Sequence, residues 1–148
     1  MANNITEKKK ILYFDDEPFI SKTLVKSLEF YDWDITFADN IYELFKELNV
    51  HKFDILILDI MAPVPETKNE YVDFTNAEIK EMEGGMNTGV VLAKKIWTEI
   101  DSNYTILFLT ARSLDTISLL SRSYRFDYIR KPVLVNDLNF KLEEMLNS

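Results

Sequence analysis

Residues 55–59 read Ile-Leu-Ile-Leu-Asp, an apolar run that ends directly in an acid. A short run of this kind, rich in branched side chains and without polar alternation, is typical of a strand buried on both faces of a parallel sheet. Similar short runs occupy residues 11–14, 105–109 and 126–129, and residues 33–38 read as a further strand with Ile35 and Phe37 on one face. The sequence therefore predicts five strands.

Longer segments with helical periodicity follow each predicted strand. They cover residues 17–30, a helix capped by Asn40, residues 90–100, a helix capped by Ser113, and residues 135–146. Alternation of strand and helix implies parallel strands joined by right-handed crossovers, with helices on both faces. We therefore predict an α/β fold, a doubly wound five-stranded parallel sheet. With 148 residues, the chain is expected to form one domain over 1–148.

The composition excludes several classes of function. The chain has no cysteine, which rules out disulfides, a thiol nucleophile and cysteine-ligated metals, and its single histidine, His51, disfavours a multi-histidine metal site or a Ser-His-Asp triad. A net charge of −8 argues against binding to nucleic acid. No apolar run approaches the ~20 residues of a membrane span, and the polar, basic N-terminus does not resemble a signal peptide. We expect a cytoplasmic protein without a membrane segment.

Residues 64–86 form an extended loop between the third strand and its helix, where 2–6 residues are usual. This insertion holds six acids and two lysines, so its net charge of −4 is half the excess of the whole chain. Thr75-x-x-Glu78 has the form of a capping box, and Gly84-Gly85 supplies a stop, which predicts a short surface helix over 76–83. Three interpretations stay open: a mobile acidic loop, a partner-binding helix, or a lid over the site described next.

Polar residues stand at the ends of four predicted strands: Asp15 and Asp16, Asp59, Thr110, and Lys131. In an open parallel sheet, ligands bind beyond the carboxyl ends of the strands, where the strand order reverses. If the first and third strands are neighbours, three carboxylates converge there, and such like charges need a compensating cation. Oxygen ligands without histidine or cysteine favour Mg²⁺, or Mn²⁺, over zinc.

The hydroxyl of Thr110 and the ammonium of Lys131 would face that cation across a gap, an arrangement that suits a tetrahedral anion. Phosphoryl transfer needs little beyond such positioning and charge neutralisation. Asp59 is then a candidate nucleophile that carries an acyl phosphate. Taken singly, each residue has an ordinary interpretation as a helix cap, a turn residue or a solvated side chain. The ordered set of all of them favours a phosphoryl site.

The set resembles the receiver domain of two-component response regulators, a chemotaxis-receiver-like family. The resemblance extends over nearly the whole chain, and it is carried by ILYFDDE at 11–17, ILILDIMAP at 55–63, LTAR at 109–112 and YIRKP at 128–132. It implies the flavodoxin-like strand order 2-1-3-4-5. It also implies a phosphoprotein that takes its phosphoryl group from a histidine kinase or a histidine phosphotransfer protein.

By this resemblance, Asp59 is the phosphoacceptor. Asp16 would ligate Mg²⁺ directly, Asp15 would contribute, often through water, and the backbone carbonyl of Met61 would complete the protein ligands together with Asp59. The ligand at position 61 is a backbone oxygen, so the methionine side chain does not spoil the site.

The resemblance also assigns the residues on the anion side of the site. Lys131 would pair with the phosphoryl oxygens, and its peptide bond to Pro132 is expected to be cis. Thr110 and Tyr128 match the switch pair, whose hydroxyl moves toward the phosphate while the ring turns inward. This switch would bias an equilibrium between two states of a protein-interaction surface.

The chain departs from the family in three places. Apart from the long insertion, the Met-Asp-Gly step of the family is displaced to residues 86–89, and the turn before the fifth strand, at 124–126, lacks the usual Gly-Ala. Met61 and Arg112 flank the site and do not readily orient an attacking water. We therefore expect slow self-dephosphorylation, and no enzymatic activity beyond the protein's own phosphorylation and its reversal.

Three functions follow from these observations. The first is a stand-alone receiver, or one cut from a longer regulator, that acts through an unknown downstream protein after phosphorylation. The second is a receiver-like interaction module that works without phosphorylation, although such a module has no physical reason to keep a costly carboxylate cluster. The third, an aspartate-based phosphatase, is disfavoured because Met61 stands where such enzymes need a second acid.

Overall fold

Five parallel strands form the sheet of the computed structural model, which describes residues 7–111 and 115–147. The strand order is β2-β1-β3-β4-β5, which confirms the predicted doubly wound, flavodoxin-like topology. Each predicted apolar run forms its strand, with ends shifted by one residue at most. The strands are β1 (Lys10–Phe14), β2 (Asp34–Ala38), β3 (Ile55–Asp59), β4 (Thr105–Thr110) and β5 (Phe126–Arg130).

The helices begin where the sequence supplies a start signal. Pro18 occupies the first turn of its helix, and the Asn40 side chain accepts a hydrogen bond from the backbone N–H of Glu43 at 2.8 Å, as its capping role predicts. Within the described residues, no helix is both long and apolar enough to cross a membrane. The helices are α1 (Pro18–Glu29), α2 (Ile41–Val50), α3 (Asn76–Glu81), α4 (Thr88–Glu99), α5 (Asp115–Ser118) and α6 (Val135–Leu146).

The helix after β4 is shorter than the sequence predicts. Helix α5 has four residues, and Leu119, which we expected inside it, lies beyond its end and is 85% exposed. Among the side chains described in this stretch, Ile117 and Leu120 are buried, and both pack in the core on the α2 and α4 side of the sheet. The predicted cap, Ser113, lies outside the described residues.

The core has two layers, because successive side chains of the central strands point to opposite faces of the sheet. Leu56 and Leu58 pack on the side of α2 and α4, whereas Ile55 and Ile57 pack on the side of α1 and α6. All four side chains are fully buried. Burial of each contributes roughly 1.5–3 kcal/mol, so the apolar run at 55–58 stabilises both layers at once.

The insertion is folded, with a helix near the predicted position. The side chain of Thr75 accepts from the backbone N–H of Glu78 at 3.1 Å, and the Glu78 carboxylate accepts from the backbone N–H of Thr75 at 2.8 Å, which confirms the capping box. Helix α3 ends at Glu81 rather than at the predicted residue 83, because a 3-10 turn follows over Glu83–Gly85. Gly84 lies in that turn with a φ of 65°, a conformation that glycine adopts without strain.

The insertion packs against α2 and α4. The rings of Phe45 and Phe74 meet edge to face with centroids 6.1 Å apart, and Tyr42 contacts Tyr71 at 5.2 Å. The ammonium of Lys95, a residue of α4 that is only 5% exposed, lies 2.9 Å from the carboxylate of Glu78. These contacts pack the segment against the two helices on this side of the sheet.

Candidate functional site

Three carboxylates meet at the carboxyl ends of β1 and β3. These strands pair in parallel, with Phe14 opposite Leu58, so the acids that end them lie side by side. Asp15, Asp16 and Asp59 each offer an oxygen atom, and these atoms all lie within 4.8 Å of one another. Asp15 and Asp59 are buried, whereas Asp16 is partly exposed. The structure thus brings together the acidic residues that the sequence singled out.

Neighbouring residues of its own segment hold the Asp15 carboxylate in place. Its carboxylate accepts from the backbone N–H of Glu17 at 2.9 Å and from the hydroxyl of Tyr13 at 3.4 Å. Burial and then the charge of Asp15 raise the pKa of Tyr13, so the phenol stays protonated and donates. Sequence reasoning missed Tyr13, although its position two residues before Asp15 on one strand face was a usable signal.

Lys131 approaches the carboxylates from the other side. Its ammonium lies 3.1 Å from Asp59 and 3.5 Å from Asp15, and its backbone N–H donates to the carbonyl of Thr110 at 2.8 Å. The peptide bond between Lys131 and Pro132 is cis, as expected. The lysine therefore bridges the two buried acids.

The electrostatics of the site are dominated by burial and by repulsion between the acids. Burial and the charge of Asp15 raise the pKa of Asp59 to about 7, although Lys131 opposes both effects. Burial acts to lower the pKa of Lys131, but the nearby carboxylates of Asp59 and Asp15 outweigh burial, so the pKa of the lysine is raised. One ammonium does not compensate three carboxylates, so the site favours a further cation.

The ligand types fit a hard divalent cation. The three side chains offer only carboxylate oxygens, the ligands that Mg²⁺ and Mn²⁺ prefer, and neither nitrogen nor sulfur donors are among them. The backbone carbonyl of Met61, two residues beyond Asp59, is the further oxygen that the resemblance assigns to the ion. The residues of the site therefore fit the expected Mg²⁺.

Thr110 and Tyr128 lie on one face of the sheet. Thr110 is buried at the end of β4, two residues after Phe108, and Tyr128 pairs with Phe108 across the ladder between β4 and β5. Side chains two residues apart on a strand share a face, so both hydroxyl groups are on the side of α4. Tyr128 is 36% exposed, which leaves its ring partly in solvent.

The backbone of α4 lies directly against the end of β3. A Cβ atom on Gly89 would lie 2.2 Å from the carbonyl oxygen of Asp59, so only glycine fits at this position. This contact agrees with the expected displacement of the Gly step to 86–89. Arg112, expected to flank the site opposite Met61, lies outside the described residues.

An apolar groove runs from the site along α1. Its volume is about 890 Å³, and it is lined by Asp15 and Lys131 at one end and by Phe19, Leu24 and Leu134 farther along. Phe19 is 92% exposed, which is unusual for a large apolar side chain next to a polar site. The groove gives a second molecule a surface to contact beside the carboxylates.

The chain is similar in sequence to two curated proteins. The transcriptional regulatory protein CrdR of Helicobacter pylori is 23% identical over 143 residues, which cover 95% of this chain and 56% of that protein. The response regulator receiver protein CpdR of Brucella abortus is 28% identical over 139 residues, 93% of this chain and 97% of that protein. The chain thus spans about half the length of CrdR. No family model matches the chain.

Solved structures give the same picture for the fold. A response regulator from Thermotoga maritima superposes with a TM-score of 0.69 at 20% identity, covering 95% of this chain and 99% of that one. The chemotaxis protein CheY4 of Vibrio cholerae has a TM-score of 0.69 at 17% identity, with coverages of 93% and 98%. The resemblance drawn from the sequence is therefore confirmed: the chain has the fold of response regulator receiver domains and is similar to them in sequence over most of its length.

Proposed function

We propose that residues 1–148 form a single receiver domain that accepts a phosphoryl group on Asp59 in a two-component phosphorelay, with an acidic insertion at 64–86. One observation carries the proposal. The buried carboxylate of Asp59 lies 3.1 Å from the ammonium of Lys131 and within 4.8 Å of oxygen atoms from Asp15 and Asp16. This arrangement has a nucleophile, a cation that pairs with phosphoryl oxygens, and acids that bind a metal.

In the proposed reaction, a carboxylate oxygen of Asp59 attacks the phosphorus atom of a phosphohistidine. The new P–O bond forms as the P–N bond breaks, and the electron pair of that bond leaves with the imidazole, which takes up a proton. Asp15, Asp16, Asp59 and the Met61 carbonyl would hold Mg²⁺, which would neutralise charge on the transferring group. Lys131 pairs with another phosphoryl oxygen and keeps the product oriented.

Thr110 and Tyr128 are the proposed switch. The hydroxyl of Thr110 turns toward the phosphoryl group on Asp59, and the ring of Tyr128 moves inward on the same face of the sheet. The two positions of the Tyr128 ring, exposed and buried, then define two states of the surface around β4 and β5. A phosphoryl group that binds one state more tightly shifts the population toward it.

The proposed partners are a histidine kinase or histidine phosphotransfer protein and an unknown downstream protein in the cytoplasm. The groove beside Lys131 is the surface that the phosphodonor contacts, since a donor must bring its histidine within bonding distance of Asp59. The exposed ring of Phe19 contributes apolar contact area there. CpdR is named a response regulator receiver protein, which is consistent with this choice of partners.

We also propose that the acyl phosphate is long-lived. The side chain of Met61 is apolar and partly exposed beside the site, so it offers no group to orient a water molecule for attack on phosphorus. The protein then acts as no enzyme beyond its own phosphorylation and slow dephosphorylation. A phosphoryl lifetime of only seconds, without a phosphatase, would contradict this part of the proposal.

The experiment that tests the function uses a small-molecule phosphodonor, such as acetyl phosphate, with and without Mg²⁺. The wild-type chain is compared with Asp59→Asn and with Asp39→Asn, an acid that follows β2 at the same edge of the sheet. Labelling that needs Mg²⁺ and disappears only in Asp59→Asn supports the proposal. Absence of labelling in every sample would favour an interaction module that works without phosphorylation, and multiple turnovers would favour a phosphatase.

A further inference from the structure

The end of the insertion and the start of α4 are tied to the residues after Asp59 by three hydrogen bonds. The N–H of Ala62 donates to the carbonyl of Gly85 at 3.1 Å, and the N–H of Gly89 donates to the carbonyl of Ile60 at 2.8 Å. The third bond comes from a side chain: the hydroxyl of Thr88 donates to the carbonyl of Ala62 at 2.7 Å. The stretch 85–89 therefore holds residues 60 and 62 from one side.

These bonds flank the peptide of Met61. Ile60 also donates its N–H to the carbonyl of Leu109 at 3.1 Å, so the residue before Met61 is held by two elements. The residue after it, Ala62, is held at both its N–H and its carbonyl. The Met61 carbonyl shares a peptide plane with the Ala62 N–H, so the bond to Gly85 restrains it directly, and the bond from Thr88 restrains it by holding the other end of Ala62.

Thr88 is the side chain that completes this arrangement. It is fully buried at the first position of α4, and its hydroxyl donates to a backbone carbonyl outside its own helix. Farther along the same helix, Thr98 instead donates to the carbonyl of Lys94, four residues earlier, at 2.8 Å. A hydroxyl aimed at the segment that follows the phosphoacceptor acts on the site rather than on its own helix.

We propose that Thr88 is a positioning residue for the Met61 carbonyl and thereby sets the affinity of the site for Mg²⁺; this inference rests on the proposed metal ligands. The groups that orient a metal ligand typically change metal affinity 10–100-fold when they are removed. Thr88 begins α4 two residues after the insertion ends, so the end of the insertion and the proposed metal site lie next to the same hydrogen bond.

The test measures Mg²⁺ binding to the full chain by isothermal titration calorimetry, together with thermal unfolding without the ion. Thr88→Val removes the hydroxyl at nearly constant shape, Thr88→Ser retains it, and Thr105→Val removes the hydroxyl of a buried threonine at the opposite end of β4. We expect Mg²⁺ affinity to fall about tenfold or more in Thr88→Val. We expect the Mg²⁺ affinities of Thr88→Ser and Thr105→Val to stay within about twofold of wild type, because both variants keep a hydroxyl at position 88.

Equal Mg²⁺ affinity in Thr88→Val and wild type would overturn the inference, even if the variant were less stable, because a purely structural hydroxyl changes unfolding alone. If Thr88→Val does not fold, Thr88→Ala removes the donor without adding an apolar branch, and an unchanged affinity in that variant would overturn the inference as well. Failure of the wild-type chain to bind Mg²⁺ would instead overturn the proposed metal site, and this inference with it.

Discussion

Lys95 anchors the insertion, and its replacement by methionine tests whether the segment is part of the folded core. The ammonium of Lys95 lies 2.9 Å from Glu78 and 2.8 Å from Glu99, and 5.2 Å from the ring centroid of Phe74. Burial opposes its charge, but the hydrogen bonds to Glu99 and Glu78 outweigh burial and raise the pKa of Lys95. Burial likewise acts to raise the pKa of Glu78, yet the bonds from Thr75 and Lys95 lower it.

The expected loss of stability follows from the exposure of the partners. Breaking a fully buried ion pair costs about 3–5 kcal/mol, and a hydrogen bond to a charged group contributes about 1.5–3 kcal/mol. The side chains of Glu78 and Glu99 are 24% and 57% exposed, so water takes over part of the lost interaction. We therefore expect Lys95→Met to lower the free energy of unfolding by about 2 kcal/mol.

The assay is urea unfolding at pH 7, with amide hydrogen exchange over residues 76–82 as a local readout. The neighbouring Lys94 is a matched control, because it pairs with Glu81 at the surface, where both side chains are about half exposed. Lys94→Met should cost about 0–0.5 kcal/mol, as exposed ion pairs do. Equal stabilities for the two variants, or unchanged exchange over α3 in Lys95→Met, would refute the view that a buried lysine holds the insertion.

Three further predictions concern the site and its surroundings. The folded-state pKa of Asp59, about 7, exceeds its ordinary 3.8, so the folded state holds the carboxyl proton more tightly than the unfolded state does. The stability that this proton contributes is complete below pH 4 and is lost as the pH rises through 7. In Mg²⁺-free buffer at pH 8, Asp59→Asn should therefore raise the free energy of unfolding by about 2–4 kcal/mol. At pH 5 the increase should be clearly smaller, and urea unfolding at both pH values measures the difference. Gly89→Ala should cost more than 3 kcal/mol in the same assay, since a Cβ there meets the Asp59 carbonyl, whereas Gly84→Ala has open space and should cost about 1 kcal/mol for its positive φ. Phe19→Ser should slow phosphotransfer from a phosphohistidine protein that labels the wild-type chain, and should leave labelling by acetyl phosphate unchanged; equal slowing of both reactions would contradict a docking role for the groove.

The parts of the fold that depend on local sequence were predictable. The apolar run at 55–58 specifies a strand buried on both faces because every one of its side chains needs a core. Asn40 and the pair Thr75 and Glu78 specify helix starts because their side chains satisfy backbone N–H groups within a few residues. The carboxylate cluster was predictable as well, since parallel strands bring their carboxyl ends to one edge.

The features that sequence reasoning missed depend on contacts between distant segments. Lys94 and Lys95 are neighbours of the same type, and only the position of α3 decides that one is buried and the other exposed. The position of Tyr13 two residues before Asp15 places both on one strand face, but the hydrogen bond between them depends on how the two side chains turn. Leu119 has the spacing of a helical core residue, yet the short α5 leaves it in solvent.

The hydrogen bond between Ala62 and Gly85 closes a loop, so the residues between them leave the sheet and return to it at one point. The entropic cost of closing such a loop rises by only about 0.6 kcal/mol for each doubling of its length, so the length of the loop has little effect on the strand that precedes it. A segment of another length between the same two residues would leave the end of β3 where it is, provided that Ala62 and Gly85 still pair. The position of residue 59 therefore does not depend on how many residues lie between 62 and 85.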